Sequence, residues 1–505
     1  MLGDCLVGID IGGTVAKALV FAPDGRTLGI GTGSVPVVAA HPGWSEVDTA
    51  VLWAQTAFAV REALARSGRR ASDVAAVGLS GSGNGLCIAG ASGEVLRPMI
   101  RSSDIRAHEI VAEWNAAGLG DELRPIIRQG LWPGQPLALL AWLRRHEPRT
   151  FHDIRSVLLC KDWIRHELTG DIHADVTDAT AAGLSHVATE TYSRRALEVL
   201  GLGEVFDSLP PIAPRASVAG RVTKEAAEIT GLAEGTPVAG GLFDCAAAAL
   251  GVGCIDAGQV CLIVGTWSIS EVVISEPVLA PSVGFTTSHA VPGRWLLLEA
   301  SATSATNLSW YLDELAAAER IEAQRRGVPI YTILDEKLRT VAPGSEGVVF
   351  HPYVHGSLTN PAARAAFVGI GAWHHRSHLL RAVYEGVAFS HLEHLNRLRA
   401  VVPISEARLT GGGSRSPVWC QMLADVFGVT LIVPSSAESG ALGAAIDAGI
   451  AVGLYSEYSA AVEQTQRAHR HEQLRYEPDP GTRPAYERAH RFFRETTAAL
   501  EPIVL

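Results

Sequence analysis

Strands alternating with helices, in two halves built alike, predict an α/β protein of two related domains. Three observations carry this. Apolar runs such as "VAAVGLSG" sit beside stretches whose apolar residues recur at three and four, such as "VLWAQTAFAVREALARSG". A strand, a Gly-Thr turn and a second β-branched strand occur in the first half as "IDIGGTVAKALV" and about half a chain later as "CLIVGTWSISEVVIS". The 505 residues exceed the roughly 100 to 200 of an ordinary domain, so more than one core is expected. The joint is placed near Gly253, giving residues 1–253 and 254–505. Two halves that each offer a phosphate-sized turn imply a ligand held between them.

Taken in order, Val7 to Ile11 and Ala16 to Val20 read as strands joined through Gly12 and Gly13, with Asp24-Gly25 opening the next turn. A Gly-Gly-Thr turn exposes backbone N–H groups and a hydroxyl, which suits an anion; Asp10 beside it would need a cation in between. Phosphate with Mg²⁺ is the expectation. Residues 51–68 read as a helix and 74–81 as a strand running into a Gly-Ser turn. "CAAAALGVG" reads as a helix leaving the first domain, entered through Asp244 in "GGLFDCAAAAL". A carboxylate in such surroundings needs a partner or a task. It can cap the helix that follows, and it can take a proton from a substrate hydroxyl while the helix N-terminus keeps it ionised. In the second half "LTGGGSRSPVWCQMLADVFG" is a strand, three glycines and a helix N-terminus, which suits a nucleotide as well as a plain strand-to-helix turn. "AESGALGAA" has the small residues of a helix that approaches its neighbour closely. Segment 275–345 interrupts the α/β rhythm, and the stretch from about Ser456 is polar and helical.

Composition excludes several classes. With 42 basic and 53 acidic residues the net charge is −11, which disfavours general binding to nucleic acid or an acidic membrane. Seven cysteines without a C-x-x-C pair fit a reducing compartment, and no basic segment leads into an apolar one at the N-terminus, so a cytoplasmic location is expected. No Walker A loop, G-x-G-x-x-G or G-x-S-x-G occurs. His374, His375 and His378 in "WHHRSH" lack a carboxylate or cysteine at metal-ligand spacing and read as a solvated helix start.

Asp10-x-Gly-Gly-Thr, Gly240-Gly241-x-x-Asp244, Gly265-Thr266 and Gly411-Gly412-Gly413, in this order, resemble the FGGY carbohydrate kinases of the actin, Hsp70 and hexokinase superfamily. "KDWIRHELTG", "DVTDATAAGL" and "FVGIGAWHHRSHLLRAVYEGVAF", with His378, Ala382 and Glu385, are similar to further segments of that family, and the resemblance covers nearly the whole chain. It implies two ribonuclease H-like domains with a central cleft. It implies ATP and Mg²⁺, with Asp10 holding Mg²⁺ through water and Asp244 as general base and second metal-site acid. Gly12, Gly13, Thr14 and Lys17 would line the β- and γ-phosphates, Gly265 and Thr266 would close on them, and Gly411, Gly412, Gly413 and Ser416 would contact adenosine and the α-phosphate. Sugar contacts would come from Ser82, Gly83, Asn84, Asp104, Arg106 and Asp244.

The chain departs from common members at Ser102, where many have an aromatic residue, and at Gly83-Asn84, where kinases related to D-xylulokinase have Met-His. "SSDIRAHEI", "GLFDCAAAAL" and "GTWSIS" are most similar to the L-xylulose kinase branch, with erythritol kinases as near relatives. The implied reaction is phosphorylation of a primary hydroxyl of a small ketose such as L-xylulose, with erythritol or another polyol as the alternative. A non-catalytic sugar or nucleotide sensor on the same fold is the competing class, and the presence of both Asp10 and Asp244 favours the enzyme. A homodimer is a common outcome for such folds.

Overall fold

In the computed structural model the described residues are 3–280, 283–301, 304–354, 356, 363–434, 438–467 and 473–500. They form two compact units. Unit 1 comprises Met1–Ala257, Val273–Leu297 and Glu438–His471, and unit 2 comprises Gly258–Val272, Leu298–Ala437 and Glu472–Leu505. The single boundary expected near Gly253 is therefore incomplete, because residues 273–297 and 438–471 leave the second half and pack with the first. A linear reading of the chain has no signal for such a return.

Unit 1 is built on a mixed sheet. Strands β1 (Cys5–Ile11) and β2 (Val15–Phe21) form the expected antiparallel hairpin, and β3 (Thr27–Ser34) extends it. On the other side β1 pairs in parallel with β4 (Val74–Gly81), and β5 (Val218–Arg221), β6 (Pro237–Ala239) and β7 (Leu242–Phe243) complete the sheet. Apart from half-buried Asp10, every residue of β1 is buried, as expected for a strand covered on both faces.

One face is covered by the helix Thr49–Ser67, which begins two residues before the expected Val51 because the Asp48 carboxylate accepts the N–H groups of Ala50 and Val51. Gly68 in the left-handed conformation (φ 65°) ends it. The other face carries the helix Ser439–Ala451, the element seen in "AESGALGAA"; Ala437 lies outside the described residues. A methyl group on Gly8 or Gly78 would overlap the carbonyl of Ala441 or Ala444, so backbone meets backbone there and only glycine fits.

Unit 2 repeats the pattern. Strands β8 (Val260–Val264) and β9 (Ser268–Ile274) form an antiparallel hairpin, β8 pairs in parallel with β10 (Glu406–Thr410), and β11 (Thr430–Val433) and β12 (Leu474–Tyr476) follow. Each unit thus has a hairpin whose first strand has a parallel third strand on its other side. The interrupting segment holds the strands Phe285–Ser288 and Trp295–Ser301 and three helices, Ala305–Glu314, Ala317–Arg326 and Ile330–Leu338. The C-terminal stretch is helical at Tyr458–Arg467 and Arg483–Leu500, with β12 as an unexpected strand between them. Among the described residues no helix is long and apolar enough to cross a membrane, and all seven cysteines are buried and outside any disulfide.

Candidate active site

In unit 1 the carboxyl ends of β1, β4 and β7 bring three of the expected segments together. Parallel pairing aligns Asp10 with Ser80, and the Ser80 hydroxyl donates to Asp10 Oδ1 at 2.8 Å. The Ser82 N–H donates to the Ile11 carbonyl at 2.9 Å, so the Ser82-Gly83-Asn84 loop is tied to the strand that carries Asp10. Asp244 follows β7 directly, and β7 pairs with β4 through Leu242–Ser80 and Phe243–Gly81. A methyl on Gly83 would overlap the Phe243 ring, so the loop and the residue before Asp244 are in contact.

Asp244 is not the helix cap allowed for by the sequence. Phe243 is the N-cap and Asp244 is the first helical residue, its Oδ1 accepting the Cys245 N–H at 2.8 Å. Burial, then the charge of Asp10, pushes its carboxyl up to about 7. Asp10 is raised too: burial dominates and Glu438 adds to it, against the Ser80 hydrogen bond and Lys17. Two carboxylates that hinder each other's ionisation are suited to a shared divalent cation, a donor set of the kind that holds Mg²⁺ together with substrate phosphates.

The Gly12-Gly13-Thr14 turn is closed by the Gly12 N–H on the Val15 carbonyl at 3.0 Å, and Gly12 and Thr14 are exposed. Lys17 differs from expectation. Its ammonium pairs with Glu438 at 2.6 Å and so is engaged by a carboxylate 421 residues away instead of standing open to a phosphate. In the Ser82-Gly83-Asn84 loop Asn84 is left-handed (φ 61°), and its buried Oδ1 has no hydrogen-bond partner among the described residues. An orphaned acceptor of this kind is what a ligand hydroxyl would satisfy.

Asp104 and Arg106 are held by partners within the chain. The Asp104 carboxylate accepts the N–H of Ser45 and both Nε and Nη2 of Arg106, while Arg106 Nη2 also pairs with Glu46 at 2.7 Å. The guanidinium lies 3.8 Å from the Trp44 ring centroid, and both charged side chains are 0% exposed. These residues hold the segment Ser102–Arg106 in place, and the buried Arg106 Nη1 has no hydrogen-bond partner among the described residues.

Sequence reasoning also missed the role of Lys161 in "KDWIRHELTG". Its buried ammonium sits 3.1 Å from Asp162, 2.5 Å from Asp175 and 2.6 Å from Asp178. Burial alone would lower its affinity for the proton, but the three carboxylates outweigh that and hold it above the ordinary lysine range. The Lys161 stem packs under Gly81 and Gly241, which lead into the Ser82-Gly83-Asn84 loop and into β7 respectively. Asp162, Asp175 and Asp178, all within 17 residues of that lysine, were the available signal.

In unit 2 the second set of turns comes together. Gly411 (φ 88°) presses on the Val264 carbonyl, immediately before Gly265, and a methyl there would approach it to 2.7 Å. Thr266 and Gly412 are exposed, and nothing lies within 4 Å of a methyl placed on Gly412. Ser416 caps the helix Pro417–Phe427 by accepting the Trp419 N–H at 3.1 Å, and it donates to Asp335 at 2.8 Å. A pocket of about 320 Å³ adjoins that helix start, lined by Arg339, Pro343, Pro417, Val418 and Gln421 among others. The histidines of "WHHRSH" contact one another edge-on, and the described residues hold no group of three or more metal-ligating side chains. Glu385 is buried and structural, bonded to Arg381 at 2.7 Å and to Gly344 and Ser345 at 2.9 Å.

Residues 5–251 match the N-terminal domain of the FGGY family of carbohydrate kinases, and residues 260–452 match that family's C-terminal domain. The chain is 35% identical to a probable L-xylulose kinase of Pasteurella multocida (strain Pm70), over 99% of each chain. It is 32% identical to the L-xylulose/3-keto-L-gulonate kinase of Escherichia coli (strain K12), over 98% of this chain and 97% of the relative. Among solved structures it is similar to xylulose kinase from Rhodospirillum rubrum, with a TM-score of 0.84, 29% identity and 99% of each chain covered.

Proposed function

The chain belongs to the FGGY family of carbohydrate kinases, and from that premise we propose that it transfers the γ-phosphoryl group of ATP to a primary hydroxyl of L-xylulose or a closely related pentulose. The observation that carries the reading is Asp244, a buried acid raised to about 7, at a strand end beside both Asp10 and the Ser82-Gly83-Asn84 loop. A base with that proton affinity can accept a hydroxyl proton near neutrality. Phosphoryl transfer otherwise needs position and charge neutralisation more than covalent help.

The Gly12-Gly13-Thr14 turn would take the β- and γ-phosphates on the N–H groups of Gly13 and Thr14. Asp10 and Asp244 are the residues that would hold Mg²⁺, which would supply charge neutralisation on the phosphates. In unit 2, Gly265, Thr266 and the open backbone at Gly412 would bind nucleotide, with adenosine near Ser416. Asn84 Oδ1 would accept a sugar hydroxyl. Similarity to relatives named for L-xylulose supports that sugar over D-xylulose, as does Gly83-Asn84 in place of Met-His.

The test is ADP release, coupled to an optical readout, across ketopentoses, tetritols and their acids with ATP and Mg²⁺. L-xylulose is expected to give the highest kcat/KM. Erythritol as the best substrate would move the assignment to a polyol kinase, and no ADP release with any member of the panel would overturn the reading.

A further inference from the structure

Arg101 follows the short strand Met99–Ile100 and bridges two parts of the unit 1 site. Its guanidinium lies directly against Gly13, where a methyl group would overlap Nη2. Its main chain lies against Gly85, next to Asn84, since a methyl on Gly85 would come within 3.1 Å of the Arg101 carbonyl carbon and 3.0 Å of Ser102 N. Its charge reaches Cys160, whose thiol also meets the Ser82 hydroxyl. The cation therefore stands where the sugar loop and the phosphate turn adjoin.

Among the described residues no carboxylate offsets it: its one side-chain bond goes from Nη1 to the Ser45 hydroxyl at 3.3 Å, and only the Cys160 thiol favours its charge against burial. Arg97, Arg106 and Arg165 of the same unit, all buried or nearly so, are each paired with at least one acid. Burial accordingly pulls the Arg101 guanidinium below the ordinary arginine range. A half-buried, unpaired arginine fork over a glycine turn is matched to an incoming oxyanion.

We infer that Arg101 is a catalytic residue of the phosphoryl transfer, its guanidinium contacting the oxygens of the phosphoryl group as it passes from ATP to the sugar. In that step the sugar oxygen bonds to the γ-phosphorus while the bond from that phosphorus to the β,γ-bridging oxygen breaks. The electron pair leaves on ADP, and the hydroxyl proton goes to Asp244. Arg101 neutralises charge that is spread over the three equatorial oxygens in the transition state, so its weight falls on kcat and not on binding. The inference rests on the kinase reading; a parent enzyme without turnover removes that reading, whereas an active parent leaves Arg101 to be judged on its own variants.

The experiment compares the full chain with Arg101→Gln, Arg101→Lys and Arg101→Ala, using the best neutral sugar and the best carboxylate-bearing sugar of the panel. Loss of about 100-fold or more in kcat is expected for Arg101→Gln, with KM for sugar and ATP within about threefold and an unchanged melting temperature. The variant should also bind ADP with aluminium fluoride and sugar at least tenfold more weakly, and added guanidinium ion should restore part of the Arg101→Ala rate. If the glutamine variant does not fold, Arg101→Lys carries the same readouts. A kcat within threefold of the parent overturns the inference. So does a loss confined to carboxylate-bearing sugars, which would make Arg101 a receptor for a substrate acid, or a rise in KM for ATP alone.

Discussion

At the scale of single residues, the proposed reaction divides its labour between Asp244 and Asp10, and their variants separate the roles. Asp244→Asn removes the base while keeping an acceptor for the Cys245 N–H, so kcat is expected to fall about 100-fold or more with sugar and ATP affinity within a few-fold, as measured by steady-state kinetics and calorimetry. A near-normal kcat would take Asp244 out of the mechanism. Asp10→Asn should raise the Mg²⁺ concentration needed for half-maximal rate as well as lower the rate; a titration with unchanged Mg²⁺ dependence would leave Asp10 a structural partner of Ser80. Asn84→Ala removes the acceptor that the proposed reading gives to one sugar epimer. An unmatched buried group is worth about 1 to 3 kcal/mol, so the kcat/KM gap between L- and D-xylulose should narrow by about 5- to 150-fold. Equal slowing on both sugars would remove Asn84 from sugar recognition. The acids were legible because an aspartate between glycines and apolar residues stands out in one dimension. Asp104 and Arg106 were equally conspicuous, but their network was not legible, because Glu46, which completes it, lies about 60 positions away in the chain.

At the scale of elements, the helix Ser439–Ala451 is the least legible and among the most consequential. Its small residues announce close packing but do not say against what. In the fold it lies on β1 and β4 and against the helix that begins with Asp244: a methyl on Gly443 would overlap the Ala247 carbonyl, and one on Gly440 would come within 2.8 Å of Asp10 Oδ2. Gly443→Ala should therefore be destabilising despite alanine's better helix propensity, because a backbone overlap costs about 1 to 3 kcal/mol or more against a gain of about 1 kcal/mol. Denaturant unfolding checks the sign, and the displaced Asp244 helix predicts a fall in kcat alongside it. A Gly443→Ala protein as stable and active as the parent would show that the two helices can separate without consequence. The hairpins were easier to read. Their period-two apolar pattern and glycine turns are local features, and so were the helix Thr49–Ser67 and its glycine stop.

At the scale of the whole molecule, buried titratable groups set how stability depends on pH. Burial, against the hydrogen bond from Tyr458, pushes Asp447 up to about 7, while an unfolded aspartate releases its proton near 4. The folded chain thus holds more protons in that window, so stability falls as pH rises from about 4 to about 7 and stays lower above it, by at most about 4 kcal/mol. His289 and His391 act the other way: burial holds both down to about 3, the unfolded chain takes up their protons first, and stability falls as pH drops from about 6.5 toward 3. Asp447→Asn should remove its share of that decline, so that stability rises more with pH between about 4 and 7 than in the parent, as read from denaturation midpoints between pH 4 and 8. A variant whose profile runs parallel to the parent's over that range would assign the decline to other buried acids.

The sequence by itself determined the α/β alternation, the paired hairpins with their Gly-Thr turns, the two acids and the carbohydrate kinase family, because each is written in residues a few positions apart. Tertiary structure alone decided that the chain returns to unit 1 through residues 273–297 and 438–471. It also decided that Glu438 takes Lys17, that Glu46 closes around Arg106 and that Arg101 lies over Gly13 with no carboxylate partner among the described residues. The physical reason is the same in each case. A charge takes as partner whatever the packed backbone brings within a few ångströms, and burial, which no local pattern fixes, determines whether that partner is another residue or is left to be a ligand.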